Sequence, residues 1–281
     1  MSIKIEDTEV FGWRKAIKGA RNPLNSWEKS DSAFLCGSTY YDILNHIVNP
    51  IADYDDGTNG ENIIGPNDHK LLMNLCKSGT EEAKWRRMVH VQMDVTAPLY
   101  WWKEFETYKV GTVSNSCSTM HKIQAKEFTL DDFSCEHLLT WKDLADQDNC
   151  VTFDKLVIYD AEREDYGYEE NDRHYEDEYY DNEYYGDSLI TTWPKQILKI
   201  MIAGLNCYRE KFLETKDKRY WWQMIQLLPT SYNQKRTIDL NYEVLASQYR
   251  QRKDHKLDEW HQYCDWIKTL PYSEFITIEE N

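Results

Sequence analysis

From Arg87 onward the chain alternates: Val89, Val91, Met93 and Val95 fall on one side, and His90, Gln92 and Asp94 on the other. That period of two predicts a half-buried β-strand. The alternation stops at Ala97-Pro98. Proline cannot donate to a ladder but suits the first turn of a helix, so Trp101, Trp102 and Phe105, at spacings of three and four, predict a short amphipathic helix after it. Gly111-Thr112 then opens a polar loop carrying Ser114, Asn115, Ser116, Ser118 and Thr119 and closed by His121. Strand, helix and hydrogen-bonding loop in that order build pockets for a phosphate, a sugar or a base edge in many folds.

Other periodic stretches predict mostly helices. Ile3 and Ile5 alternate as a short opening strand, and residues 11–18 suit a first helix. Pro66 starts a helix to Lys77, with Leu71, Leu72 and Leu75 on one face and Gly79 just past its end. Thr129, followed by Asp131-Asp132, reads as the N-cap of a helix over 128–141, and 153–159 as a strand. Trp193-Pro194 opens a long helix to Thr215 whose core stripe is Ile197, Met201, Leu205, Tyr208 and Phe212. The apolar segment 220–228 should pack beside it, and the polar run Thr230 to Arg236 predicts a turn after Pro229. Ile238, Tyr242, Leu245 and Tyr249 predict a third core helix with Asn241, Arg250 and Arg252 on its polar face; Leu257, Trp260, Cys264 and Ile267 predict a last one. Residues 21–32 are turn-rich. They form either a surface loop or a pocket lining in which Arg21, Ser26, Lys29 and Ser30 meet a phosphate.

At 281 residues, with eleven Trp and twenty Tyr, the chain can bury a sizeable core. The net charge of −16 argues against direct nucleic-acid binding. That charge is concentrated: residues 160–187 hold thirteen carboxylates against Arg163 and Arg173, hence −11, together with seven tyrosines. This insertion reads as a solvated surface loop, or as a mimic of the nucleic-acid backbone that engages a protein partner. No run approaches a membrane span, and the start of the chain has neither the basic end nor the apolar core of a signal peptide. Seven cysteines without C-x-x-C spacing suit reduced thiols, so a cytoplasmic protein without a metal is expected. His255 and His261, six apart, do not share a helical face.

Strand, Ala-Pro, aromatic helix and Ser/Asn loop together resemble the central signature of the flavin-dependent thymidylate synthases. The family motif runs Arg-His-Arg, two residues, Ser, one residue, Asn-Glu, one residue, Ser, one residue, Arg-Tyr. Laid on it without a gap, Asn115 and Ser118 match, whereas Tyr108, Lys109 and Val110 stand for Arg-His-Arg, Val113 for the first Ser, Ser116 for Glu and Met120-His121 for Arg-Tyr. Counted forward from Pro98, Lys109 takes the third basic position and Thr112 the Ser, a register shifted by one. A later block, Leu228-Pro229, Tyr232, Thr237, Arg250, His255 and Glu259, is similar in order to the family's second conserved segment, with Ile225 where the family has an Arg.

The resemblance implies one α+β domain over 1–281, a central mostly antiparallel sheet packed by long helices, interrupted by the insertion at about 160–187. It implies methylation of dUMP with FAD, NADPH and methylenetetrahydrofolate, in a homotetramer. By this likeness Lys109, Asn115 and Ser118 carry catalysis, and Arg86, His90, Lys109, Asn241 and Arg250 hold the cofactor. Thr112, Ser114, Ser116, His121, Tyr232, Gln234 and Arg236 hold the pyrimidine nucleotide. The signature has lost up to three cations, each positioned contact contributing about 1.5–3 kcal/mol. Lys109, Arg86, Arg236 and Arg250 are candidate replacements. The alternative is a degenerate member that sequesters a nucleotide or inhibits a protein partner, with residues 160–187 as the candidate contact.

Overall fold

The computed structural model describes residues 3–34, 62–139, 152–153, 190–191 and 194–278. Their elements, in order, begin with β1 (Lys4–Phe11), α1 (Trp13–Arg21), β2 (Ala33–Phe34), β3 (Asn62–Ile63) and α2 (Pro66–Lys77). Next come a 3-10 helix (Glu82–Met88), β4 (His90–Pro98), α3 (Leu99–Phe105), β5 (Val113–Ser116), β6 (Thr152–Phe153) and β7 (Ile190–Thr191). The chain closes with α4 (Pro194–Thr215), α5 (Lys218–Leu227), β8 (Asn233–Asn241), α6 (Tyr242–Arg252), α7 (Asp258–Ile267) and α8 (Glu274–Thr277). It forms two compact units, Met1–Glu136 with Leu205–Asn281, and His137–Gly204. The four-stranded sheet and the clefts described below lie in the first.

Its organising element is a four-stranded antiparallel sheet in the order β1-β4-β8-β5. The alternation read from the sequence places Val91, Met93, Val95 and Ala97 of β4 inward, all buried. Opposite them, Leu240 pairs with Val91 and Ile238 with Met93, so the two central strands present one apolar face. The other face is polar, crossed by Asp94, which takes Lys235 at 2.8 Å and Thr237 at 2.6 Å. β1 joins β4 with a register shift between Glu6 and Glu9, where Asp7 has φ 49°.

The apolar face is covered by an aromatic-rich layer. Trp101 packs on Trp102, Phe105, Trp260 and Tyr263 with ring centroids 4.8 to 5.6 Å apart. Trp13 meets Tyr242 and Tyr272 edge-on. Rings of this size remove 150–250 Å² each from water, about 25 cal/mol per Å² of it, and so dominate the packing.

Several sequence expectations change. Ile238 lies in β8, and of the predicted polar turn over 230–236 the chain turns at Thr230 and Ser231 while 233–236 are the start of that strand; the helix begins only at Tyr242. The signature segment 113–116 is an edge strand on β8, not a loop. The helix expected over 128–141 reduces, among described residues, to one turn, Leu130–Asp132. Thr129 and Asp132 do form a capping box, but Phe133 is drawn into a β-bridge with Tyr232 and the Ser134 N–H into a bond with the Ser231 carbonyl. On α4 the buried residues are Leu198, Ile202 and Leu205, while Ile197 is 42% exposed, so the core stripe is rotated from the expected one. Most of the strand expected at 153–159 and all of the acidic insertion lie outside the described residues.

The turn-rich segment 21–32 is tied to the core. Asp68 is fully buried and accepts Arg21 Nε at 2.5 Å, the Ser30 and Ser32 hydroxyls, and the Asp31 and Ser32 backbone N–H groups. Arg21, itself buried, also donates to the carbonyls of Ser26 and Lys29. Arg21 and Ser30 are thereby committed to structure rather than aimed at a phosphate.

Candidate functional site

Three predicted cofactor residues meet. Lys109, Asn241 and Arg250 line one cleft of about 480 Å³ with Thr80, Arg87, Tyr108, Gly111, Glu243, Val244 and Ser247. That volume lies within the roughly 300–1,000 Å³ of small-molecule sites. Each wall has a local cause. Asn241 ends β8 and caps α6, its Oδ1 accepting the N–H groups of Glu243 and Val244 at 3.1 Å each. Gly111 has φ 77°, and a Cβ there would stand 2.9 Å from Asn241 Nδ2, so only glycine lets the segment after α3 lie this close to the cap. Tyr108 is held by its hydroxyl, which donates to Gln251 at 3.0 Å and accepts from Arg252 Nε at 2.9 Å.

Arg252 is fixed in turn. It donates to Glu104 at 2.7 Å and lies 4.8 Å from the Trp260 ring centroid. Glu104 also receives Trp260 Nε1 at 3.2 Å and contacts His255 Nε2 at 3.1 Å. The His255 Nδ1 accepts the Leu257 N–H. This network anchors one side of the cleft to the aromatic core.

Charge in the cleft is lopsided. Arg87, Lys109 and Arg250 face it against one carboxylate, Glu243, which is already paired with Arg86 at 3.4 Å. Among the described residues the side chains of Arg87 and Lys109 have no ion pair or hydrogen bond. In a chain of net charge −16 this is a local island of positive potential.

The other candidates sit elsewhere. Arg86, expected to face the cofactor, is 1% exposed and points inward to Glu243; its neighbour Arg87 takes the cleft instead. His90 lies on the polar sheet face, 3.2 Å from Asp239 and stacked on Phe11. Ser114, Asn115 and Ser116 are exposed on β5, and Thr112 just before them is half-buried with its hydroxyl unpartnered. Arg236 lies over Trp102 at 4.3 Å and pairs with Glu106 at 2.7 Å. His121 is exposed beyond that strand, its N–H donating to Ser118 Oγ.

Ser118, Tyr232 and Gln234 meet in a second cleft of about 280 Å³ with Thr96, Cys117, Lys126 and Lys235. Gln234 is occupied there: its amide donates to the Cys117 carbonyl at 2.8 Å and its Oε1 accepts Arg236 Nε at 3.0 Å. Burial, with Asp132 and Cys117 nearby, raises the Tyr232 pKa, so its hydroxyl stays protonated. Among the described residues no group of three or more His, Cys, Asp or Glu could hold a metal ion, and no helix is long and apolar enough to cross a membrane.

No protein-family model and no curated protein sequence matches the chain. Solved structures do. A flavin-dependent thymidylate synthase, ThyX, from Helicobacter pylori, complexed with FAD and dUMP, aligns over 99% of this chain and 98% of its own at a TM-score of 0.52 and 13% identity. A second structure of the Helicobacter pylori enzyme with FAD and dUMP aligns over 99% and 97% at 0.53 and 13%. The likeness shows a shared fold.

Proposed function

We propose that this chain is a nucleotide-binding protein of flavin-dependent thymidylate synthase fold, and that the Lys109–Asn241–Arg250 cleft receives the phosphorylated end of dUMP or of FAD. One observation carries the reading. Three residues picked out by the resemblance come together in a positively charged cleft, in a fold that aligns end to end with a protein holding those two ligands. The lining fits such a group. Lys109 and Arg250 supply cations, Thr80 and Ser247 hydroxyls, and Tyr108, Val110 and Val244 flat or apolar surface for a planar ring.

A bound reduced flavin supplies hydride, which no side chain can. The chain's own contribution is to hold the phosphate, fix the ring against Tyr108 and keep the anchoring network of Arg252 and Glu104 in place. In the full reading NADPH and methylenetetrahydrofolate are co-substrates and the protein is a homotetramer.

A second reading, sequestration without turnover, is favoured by the state of the signature cations. Tyr108 and Val110 occupy basic positions, and Arg86 and Arg236 are neutralised by Glu243 and Glu106. Mass spectrometry of small molecules released from the purified protein, with an assay of dTMP formation, separates the two. Turnover supports the enzyme, and bound nucleotide without turnover supports sequestration. Release of neither ligand, with no binding on titration, removes both.

A further inference from the structure

The signature segment faces the cleft with one cation, Lys109, flanked by a tyrosine and a valine. On another wall stands Arg87, contributed by the 3-10 helix that precedes β4. Two neighbouring facts isolate it. Arg86, the adjacent residue, is drawn inward and paired with Glu243, which removes the one carboxylate of the cleft from competition for Arg87. The Arg87 guanidinium itself is exposed and has no hydrogen bond or ion pair among the described residues. A guanidinium left without a carboxylate at the mouth of a cleft, with an unpaired ammonium on the same lining, is suited to an anion with several acceptor oxygens.

We infer that Arg87 anchors a phosphate group in this cleft, replacing with a cation from a different element the charge that the signature segment lacks. Lys109 completes the seat as a point charge, and Arg87 sets its specificity through its planar fork. The inference rests on the nucleotide reading and deepens it, because it makes the phosphate the recognised group. The phosphate can belong to a nucleoside monophosphate or to a flavin dinucleotide.

The test is isothermal titration of the full chain with dUMP against deoxyuridine, and with FMN, which keeps a flavin phosphate without the adenosine, against riboflavin, for wild type, Arg87→Ala, Arg87→Lys and Lys84→Ala. Lys84 is an exposed residue of the same 3-10 helix outside the cleft lining. In wild type at least one phosphorylated ligand should bind about ten-fold or more tightly than its phosphate-free counterpart. Arg87→Ala should erase most of that ratio, Arg87→Lys should keep part of it, and Lys84→Ala should leave it intact. The pair that shows the ratio identifies the source of the phosphate. A ratio that survives Arg87→Ala overturns the role of Arg87 and leaves nucleotide binding standing. Wild-type protein that binds none of the four ligands overturns both.

Discussion

Arg86 and Arg87 are consecutive but differ in burial: Arg86 is buried and paired with Glu243 at 3.4 Å, whereas Arg87 is exposed on the cleft lined by Lys109 and Arg250. One is a structural cation, the other an available one. Arg86→Leu should therefore act on stability, leaving Glu243 without this partner, by about 3–5 kcal/mol on the scale of broken buried pairs. Equilibrium urea unfolding measures it, and an unchanged midpoint would refute the assignment.

The Asp68 hub predicts an acid limit. Burial by itself would raise its pKa, but hydrogen bonds from Ser32, Ser30 and Arg21, with the Arg21 charge, outweigh it and hold the carboxyl below its ordinary value. A depressed folded pKa contributes stability that is fully present above the unfolded value, about 3.9, and is lost as pH falls through the folded one. Unfolding midpoints measured from pH 6 downward should fall more steeply for wild type than for Asp68→Asn, which should already be destabilised at neutral pH by about 3–5 kcal/mol.

Gly111→Ala tests the close approach to the α6 cap. Its Cβ would meet Asn241 Nδ2 at 2.9 Å and Val244 Cγ2 at 3.2 Å in a backbone of φ 77°. A cost of about 1–2 kcal/mol is expected from the left-handed conformation alone. Ligand affinity should drop with it, since the segment must shift. Asn241→Ala should lose about 1 kcal/mol as a removed N-cap, read from the same denaturation curves.

Thiol reactivity should follow burial. Burial pushes the Cys264 thiol up to about 11, whereas Cys117 and Cys207 are exposed. Among the described cysteines, a maleimide at neutral pH should label Cys117 and Cys207 first and leave Cys264 and the buried Cys76 untouched until the protein unfolds. Peptide mass spectrometry reads the order, and early labelling of Cys264 would contradict the packing around it.

The central strand and the helix after it were legible because their periods are unbroken and Pro98 marks the joint. β8 was not, for a definite reason. Two of its inward positions are Gln234 and Arg236, whose burial is made tolerable by hydrogen bonds and by stacking on Trp102, so apolar alternation is confined to Ile238 and Leu240, too short a run to read as a strand. The capping signal at Thr129 was correctly read, but the helix it announced yields to the pairing of Phe133 with Tyr232, 99 positions away by residue number. In the cleft, Lys109, Asn241 and Arg250 were identifiable by resemblance. Arg87 was not, because only the inward commitment of its neighbour, through a partner 157 residues distant, leaves it facing outward.

The segment after α3 is fastened twice to the same strand: Val113 pairs with Asp239, and Gly111 rests on Asn241 two residues further on. Those four residues close a small loop of backbone and side-chain contacts along one border of the cleft. Widening the opening for a bulkier guest means peeling β5 from β8, so guest size and strand fraying are thermodynamically coupled. A guest that fits should slow amide hydrogen exchange along β5, on the far side of the tether from where it sits.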